Sequence, residues 1–206
     1  MVNIAVFMDR DGTINEERGY LSDPCELNIL PGAVDAIRLI NENRIKAVVI
    51  TNQSGVARGY FSEEMVEKVH LRLRDLLGGK GVYLDGIYYC PHHPEVGHPE
   101  YRKECNCRKP ALGMLNLAST ELEIDLSHSY VIGDKLTDIE PAYKVGAKGI
   151  LVLTGYGKDQ VKSLTEGSKR QPHYIARDIL EAVNWILKDI RLNPVREGIS
   201  DGVKVR

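Results

Sequence analysis

The chain has 206 residues, 43% of them hydrophobic and 27% charged, with a formal net charge of −2. That length suits one α/β domain with a sizeable core, and the balanced charge gives no electrostatic reason to expect a nucleic-acid or membrane partner. No apolar run reaches bilayer length and Met1-Val2-Asn3-Ile4 lacks a basic n-region, so neither a membrane span nor a signal peptide is expected.

The predicted elements alternate. Ile4 to Met8 is a short apolar strand running into Asp9. Gly32 to Asn43 has helical spacing, with Val34, Ile37 and Ile40 on one side, and Ala47 to Ile50 is a β-branched strand ending at Thr51-Asn52. Ser62 precedes Glu63 and Glu64 as a helix start, and that helix runs to Leu77. Gly86 to Tyr89 reads as a third strand, and Ala111 to Glu121 as a helix after Pro110. Tyr130 to Ile132 is a buried strand ending at Gly133-Asp134. Thr137-Asp138-Ile139-Glu140 has capping-box form and opens a helix to about Val145. Ile150 to Leu153 and Tyr174 to Ala176 are further strands, and Asp178 to Lys188 is a closing helix.

Such alternation predicts a single α/β, Rossmann-like domain: a parallel sheet with helices on both faces. The domain is expected over 1–190, followed by a tail over 191–206 that lacks periodicity. Sheets of this kind bind ligands beyond the carboxyl ends of their strands. Asp9, Thr51, Cys90 and Asp134 all stand at those ends.

Two sets of residues carry chemistry. Asp9 and Asp11 lie two apart after a buried strand, where like charges repel. A divalent cation relieves that repulsion, and oxygen ligands suit Mg²⁺. The competing reading is a polar strand-to-loop turn. The second set is Cys90, His92, Cys105 and Cys107, spaced as C-x-H and C-x-C. Cys₃His suits tetrahedral Zn²⁺ and leaves no position for water, so the metal is expected to be structural. His93 and His98 are the other candidates for the histidine ligand. The loop between the pairs holds Pro94, Gly97 and Pro99 and too few apolar residues for a core of its own. Cys25 reads as a free thiol.

Asp9-x-Asp11-Gly12-Thr13 resembles the first motif of the haloacid-dehalogenase-like phosphohydrolases. Thr51-Asn52, Lys109 and Gly133-Asp134-Lys135-Leu136-Thr137-Asp138 resemble the motifs that follow it, in order. The resemblance implies a phosphatase that works through an aspartyl-phosphate on Asp9, with Asp11 as general acid/base. It implies Mg²⁺ held by the Asp9 and Asp134 side chains and the Asp11 backbone carbonyl. Phosphate and substrate would be bound by Thr51, Asn52, Gln53, Ser54, Arg108, Lys109 and Lys135. Asp138 either belongs to this motif or is only a first-turn acid favouring the helix dipole.

The zinc loop runs directly into Arg108-Lys109. Together with D-R-D-G-T-I-N and T-N-Q-S-G-V-A-R-G, it resembles the capless heptose-bisphosphate phosphatase branch of that superfamily. Histidinol-phosphate phosphatases share the zinc loop. No insertion is long enough for a cap domain, so specificity is expected from Asn15–Pro31, Gln53–Gly59 and the zinc loop. Arg58 and Arg108 are candidates for a second, non-reacting phosphate, since Arg suits bidentate phosphate contacts. The expected protein is a cytoplasmic monomer acting on a phosphorylated sugar. A polynucleotide 3′-phosphatase and a zinc-stabilised interaction module are the alternatives.

Overall fold

The computed structural model describes residues 3–164 and 171–193. Six strands form one sheet: β1 (Ala5–Met8), β2 (Lys46–Asn52), β3 (Gly86–Cys90), β4 (Tyr130–Gly133), β5 (Lys148–Val152) and β6 (Tyr174–Ala176). Their order is β3-β2-β1-β4-β5-β6, with every neighbouring pair parallel. Parallel strands need crossovers, and the helices supply them. They are α1 (Ala33–Glu42), α2 (Glu63–Gly78), α3 (Gly113–Leu122), α4 (Leu136–Val145), α5 (Gly157–Lys162) and α6 (Ile179–Leu192). No cap domain interrupts the described residues.

Alternation within the strands builds two cores. Val6 and Met8 of β1 point to the face covered by α1, α2 and α6, where Ile37, Leu73 and Ile186 are fully buried. Ala5 and Phe7 point to the other face, under Met114, Leu115 and Ala118 of α3 and Ala142 of α4. Burial of each such large side chain stabilises the fold by about 1.5–3 kcal/mol before entropy is counted. β1 is therefore buried on both faces, and its only polar exit is at its carboxyl end, where Asp9 stands. The strand order reverses at β1, with β2 on one side and β4 on the other. The crevice of a doubly wound sheet opens at such a point. Met8 lies level with Ile132, so Asp9 leaves the sheet level with Gly133, one residue before Asp134.

The expected helices are present, with three differences. The helix after β4 begins at Leu136 rather than after a Thr137 cap. Asp138 is its third residue, and its Oδ2 accepts from the Lys135 backbone N–H at 3.0 Å. That one-turn reach satisfies a helix-end donor better than a threonine inside the turn. α5 is a six-residue helix absent from the expectation. α6 continues through Leu192, into the stretch expected to be tail. The rest of that tail lies outside the described residues. No helix among the described residues is long and apolar enough to cross a membrane.

Candidate active site

The ends of β1, β2 and β4 surround a polar cavity of about 170 Å³. It is lined by Asp9, Asp11, Thr51, Gln53, Arg108 and Lys109, with Asn52, Ser54 and Lys135 also on its wall. Thr51, Asn52, Gln53, Ser54, Arg108, Lys109 and Lys135, expected to bind substrate or phosphate, therefore meet in one place. Asp134 is fully buried just beneath.

Lys109 is the hub. Its buried ammonium donates to Asp9 Oδ1 at 2.8 Å and to the Ile50 carbonyl at 2.9 Å, and pairs with Asp138 Oδ1 at 2.8 Å. Asn52 fixes the backbone of the same residue. Its Oδ1 accepts from the Lys109 N–H at 3.0 Å, and its Nδ2 donates to the Lys109 carbonyl at 3.2 Å. Asn52 thus spends its side chain on holding the lysine. Thr51 and Asp11 are bridged by Gln53, whose Nε2 donates to Thr51 Oγ1 and Asp11 Oδ2, both at 2.9 Å.

The electrostatics ask for a cation. Oxygens of Asp9, Asp134 and Asp138 lie within 4.8 Å of one another. Three buried carboxylates face one ammonium. Burial pushes Asp9 up to about 6, with Asp138 and Asp11 adding to the shift against the pull of Lys109. Burial and the charges of Asp138 and Asp9 push Asp134 up to about 8. Lys109 is raised: burial opposes its charge, but Asp138 and Asp9 outweigh that. Asp11 goes the other way. Burial would raise it, and the Arg10 guanidinium beside it, together with hydrogen bonds from Asn15 and Gln53, more than offsets this.

The donor set fits a hard divalent ion. Asp134 Oδ2 accepts from the Tyr156 N–H at 2.8 Å, while its buried Oδ1 has no partner. An orphaned buried carboxylate oxygen is costly unless a ligand takes it. Both oxygens of Asp138 are already used, by Lys109 and Lys135. Asp134 is therefore the better-placed ligand, and Asp138 the anchor of the lysine. Gly12 follows from the same packing. Its φ is +79°, and a Cβ there would overlap the Asp134 carboxylate. This is why the D-x-D motif must be followed by glycine.

The sulfur site lies at the end of β3. Cys90 Sγ is 3.5 Å from Cys105 Sγ and 3.1 Å from Cys107 Sγ, and the latter two are 3.3 Å apart. His92 approaches with Nδ1, 3.3 Å from Cys107 Sγ and 3.7 Å from Cys90 Sγ. Three thiols and an imidazole nitrogen mark out a tetrahedron. Around Zn²⁺ its S–S edge would be about 3.8 Å, so the set fits with a few tenths of an ångström of expansion. His93 is committed elsewhere: its Nδ1 accepts from the Glu95 and Val96 N–H groups at 3.1 and 3.2 Å. His98 lies outside the cluster, and Cys25 is exposed and apart from it. The cluster continues into Arg108, whose Nη1 donates to the His92 carbonyl at 3.1 Å.

The loop after β1 closes the cavity with Glu17, Gly19 and Tyr20. Lys135 is 3.3 Å from Glu17 and lies over the Tyr156 ring at 4.4 Å. Arg58 does not line the cavity; it stands over the Tyr20 ring and beside His93. Sequence reasoning left Asp138 undecided and missed Arg10, Asn15 and Glu17. The acid at the end of G-D-x-x-x-D was the available signal for Asp138. Arg10 and Asn15 lie inside the D-R-D-G-T-I-N motif and Glu17 inside the Asn15–Pro31 loop, but the sequence reading assigned none of them a role of its own.

The HAD-hydrolase-like family model matches residues 106–182. A D-glycero-D-manno-heptose-1,7-bisphosphate 7-phosphatase of Thermosynechococcus vestitus is 42% identical over 88% of this chain and 94% of its own length. The D-glycero-beta-D-manno-heptose-1,7-bisphosphate 7-phosphatase of Escherichia coli K12 is 46% identical over 73% of this chain and 80% of its own. Among solved structures, a D,D-heptose 1,7-bisphosphate phosphatase from B. bronchiseptica, complexed with magnesium and phosphate, superposes with a TM-score of 0.77. It is 30% identical, covering 90% of this chain and 99% of that one. With its aspartate cluster, buried lysine and strand-end crevice, this chain belongs to the heptose-1,7-bisphosphate 7-phosphatase family of HAD-like hydrolases.

Proposed function

We propose that the chain removes the C7 phosphate of D-glycero-D-manno-heptose 1,7-bisphosphate by phosphoryl transfer to Asp9. The observation that carries this is the hold of Lys109 on Asp9 Oδ1 at 2.8 Å, on the wall of a cavity that Asp11, Thr51 and Arg108 also line. A carboxylate nucleophile needs a fixed approach and a positive charge beside the phosphoryl oxygens, and Lys109 supplies both.

Asp9 attacks phosphorus and the bond to the sugar oxygen breaks, with the departing oxygen taking a proton from Asp11. Asp11 then takes a proton from water, which attacks phosphorus and frees Asp9 and inorganic phosphate. At rest Asp11 is ionised beside Arg10. An arriving phosphate brings negative charge next to it and favours its protonation. Mg²⁺, held by the Asp9 and Asp134 side chains with the Asp11 backbone carbonyl, would neutralise charge between nucleophile and phosphate when bound. Zn²⁺, held by Cys90, His92, Cys105 and Cys107, would fix the loop that presents Arg108 and Lys109. Arg108 keeps donors free for the second phosphate while His92 pins one of its nitrogens. Thr51 and Ser54 face the transferring group, and Lys135, paired with Glu17, faces the sugar.

A phosphate-release screen in Mg²⁺ buffer tests this reading. It should contain both anomers of the heptose bisphosphate, fructose 1,6-bisphosphate, histidinol phosphate and a 3′-phosphorylated oligonucleotide. The expected result is the highest kcat/KM on a heptose bisphosphate, by a margin of about tenfold or more, the value of one well-made phosphate contact. A higher kcat/KM on histidinol phosphate would overturn the sugar assignment while leaving the phosphatase chemistry in place.

A further inference from the structure

Arg10 stands between the two aspartates and takes no part in the chemistry above. It is 1% exposed. Its Nε and Nη2 donate to Asp11 Oδ1 at 3.2 and 3.1 Å, and Nη2 also donates to Oδ2 at 2.8 Å. Asn15, equally buried, adds its Nδ2 to the same Oδ1 at 2.9 Å. The two oxygens of Asp11 are therefore unlike. Oδ1 accepts three hydrogen bonds, all from Arg10 and Asn15, neither of which lines the cavity. Oδ2 takes the shortest Arg10 contact and lies on the side of Gln53, which does line it. Oδ2 shares Arg10 Nη2 and accepts from Gln53, whose amide also holds Thr51.

A buried guanidinium is strongly destabilising unless it is paired. Asp11 is the carboxylate that pairs it, and Nη1 has no hydrogen-bond partner. The fork is thus spent on orienting one carboxylate rather than on tying several elements together. A planar fork fixes the plane of a carboxylate in a way an ammonium does not.

We propose that Arg10 and Asn15 are positioning residues that fix the plane of the Asp11 carboxylate, so that its cavity-side oxygen, Oδ2, is the one that hands its proton to the leaving group. The inference rests on the phosphatase reading above. In the step concerned, an Asp9 oxygen bonds to phosphorus and the bond from phosphorus to the sugar oxygen breaks. The electron pair stays on that oxygen, and the proton on Oδ2 passes to it. Without the hold of Arg10 and Asn15, Asp11 rotates and the proton is no longer aimed.

Two phosphate esters separate this role from a merely structural one. The sugar ester must leave with a proton, whereas the phenolate of 4-nitrophenyl phosphate leaves without one. Because kcat/KM reports only the steps through transfer to Asp9, the later hydrolysis does not enter. Arg10→Gln should lower kcat/KM on the sugar bisphosphate by about 10²-fold, and on the aryl ester by only a few-fold. Arg10→Lys should recover part of the loss, and Asn15→Ala should show the same ester dependence at smaller size. Melting curves establish that the variants are folded; if Arg10→Gln is not, the ester ratio in Asn15→Ala decides. Equal fractional losses on both esters in a folded variant would overturn the positioning role. Wild-type protein inactive on both esters would instead remove the phosphatase reading itself.

Discussion

Asp9→Asn is expected to reduce phosphate release to background, a loss on the order of 10⁴–10⁶-fold of the kind seen when a nucleophile is removed. An amide cannot form the acyl phosphate on which the two-step route depends. The variant should remain folded. Asparagine keeps an Oδ1 acceptor for Lys109 Nζ, so the 2.8 Å contact can persist. It also removes one charge from a cluster in which Asp9 raises Asp134 and Asp138 raises both. Melting temperature in metal-free buffer should therefore hold or rise. Folded protein with turnover within about tenfold of wild type would contradict the covalent route. Steady-state kinetics beside a thermal melt make the measurement.

The sulfur site gives the second large effect. Cys105→Ala or Cys107→Ala should remove zinc from the purified protein and lower its melting temperature by about 6–12 °C, as a loss of about 3 kcal/mol does in a domain of this size. Activity should fall about 10²-fold, although neither cysteine touches the nucleophile. The reason is geometric. Cys107 immediately precedes Arg108 and Lys109, and His92 holds Arg108 through its carbonyl at 3.1 Å. The same loop packs on its neighbour: the His98 N–H donates to the Ala57 carbonyl at 2.8 Å, and Gly97 leaves no space for a Cβ against that carbonyl. Excess Mg²⁺ should not rescue the variants, because thiolates are soft ligands and Mg²⁺ prefers oxygen. Cys25→Ala should change neither stability nor activity, since Cys25 is exposed and outside the cluster. Elemental analysis showing stoichiometric zinc in the Cys105/Cys107 double variant would show that other residues hold the metal.

Much of this site was legible in the sequence because it is assembled from strand ends. A buried strand in a parallel sheet is an apolar run that stops at a polar residue. Met8-Asp9, Ile50-Thr51 and Gly133-Asp134 each announce such a stop, and β1, β2 and β4 bring them together. The metal-type cluster was legible for a similar reason: C-x-H after β3 and C-x-C in one loop need only one turn of chain to converge.

What was not legible depends on contacts distant in sequence. Asp138 reads locally as a helix first-turn acid, and it does reach back to the Lys135 N–H. Its pairing with Lys109 comes only from the packing of α4 against the loop after β3. Arg10 reads as a charged residue in a turn, yet it is buried, because Asp11 turns inward with it. Asn52 reads as a phosphate donor at a strand end, whereas in the fold it clasps the peptide of Lys109. α5 has six residues, too few to set up a helical period. The chain just before it matters more. Gly155 lies against the Asp134 carboxylate, and Tyr156 donates its N–H to it. No motif marks that strap, because it works through backbone alone.

The most direct test of the account is phosphorus NMR of one heptose 1,7-bisphosphate turned over by the wild-type protein in Mg²⁺ buffer. The C7 phosphate signal should be lost and inorganic phosphate should appear in equal amount, while the C1 phosphate signal persists. Loss of the C1 phosphate, or no release at enzyme concentrations that turn over 4-nitrophenyl phosphate, would contradict it.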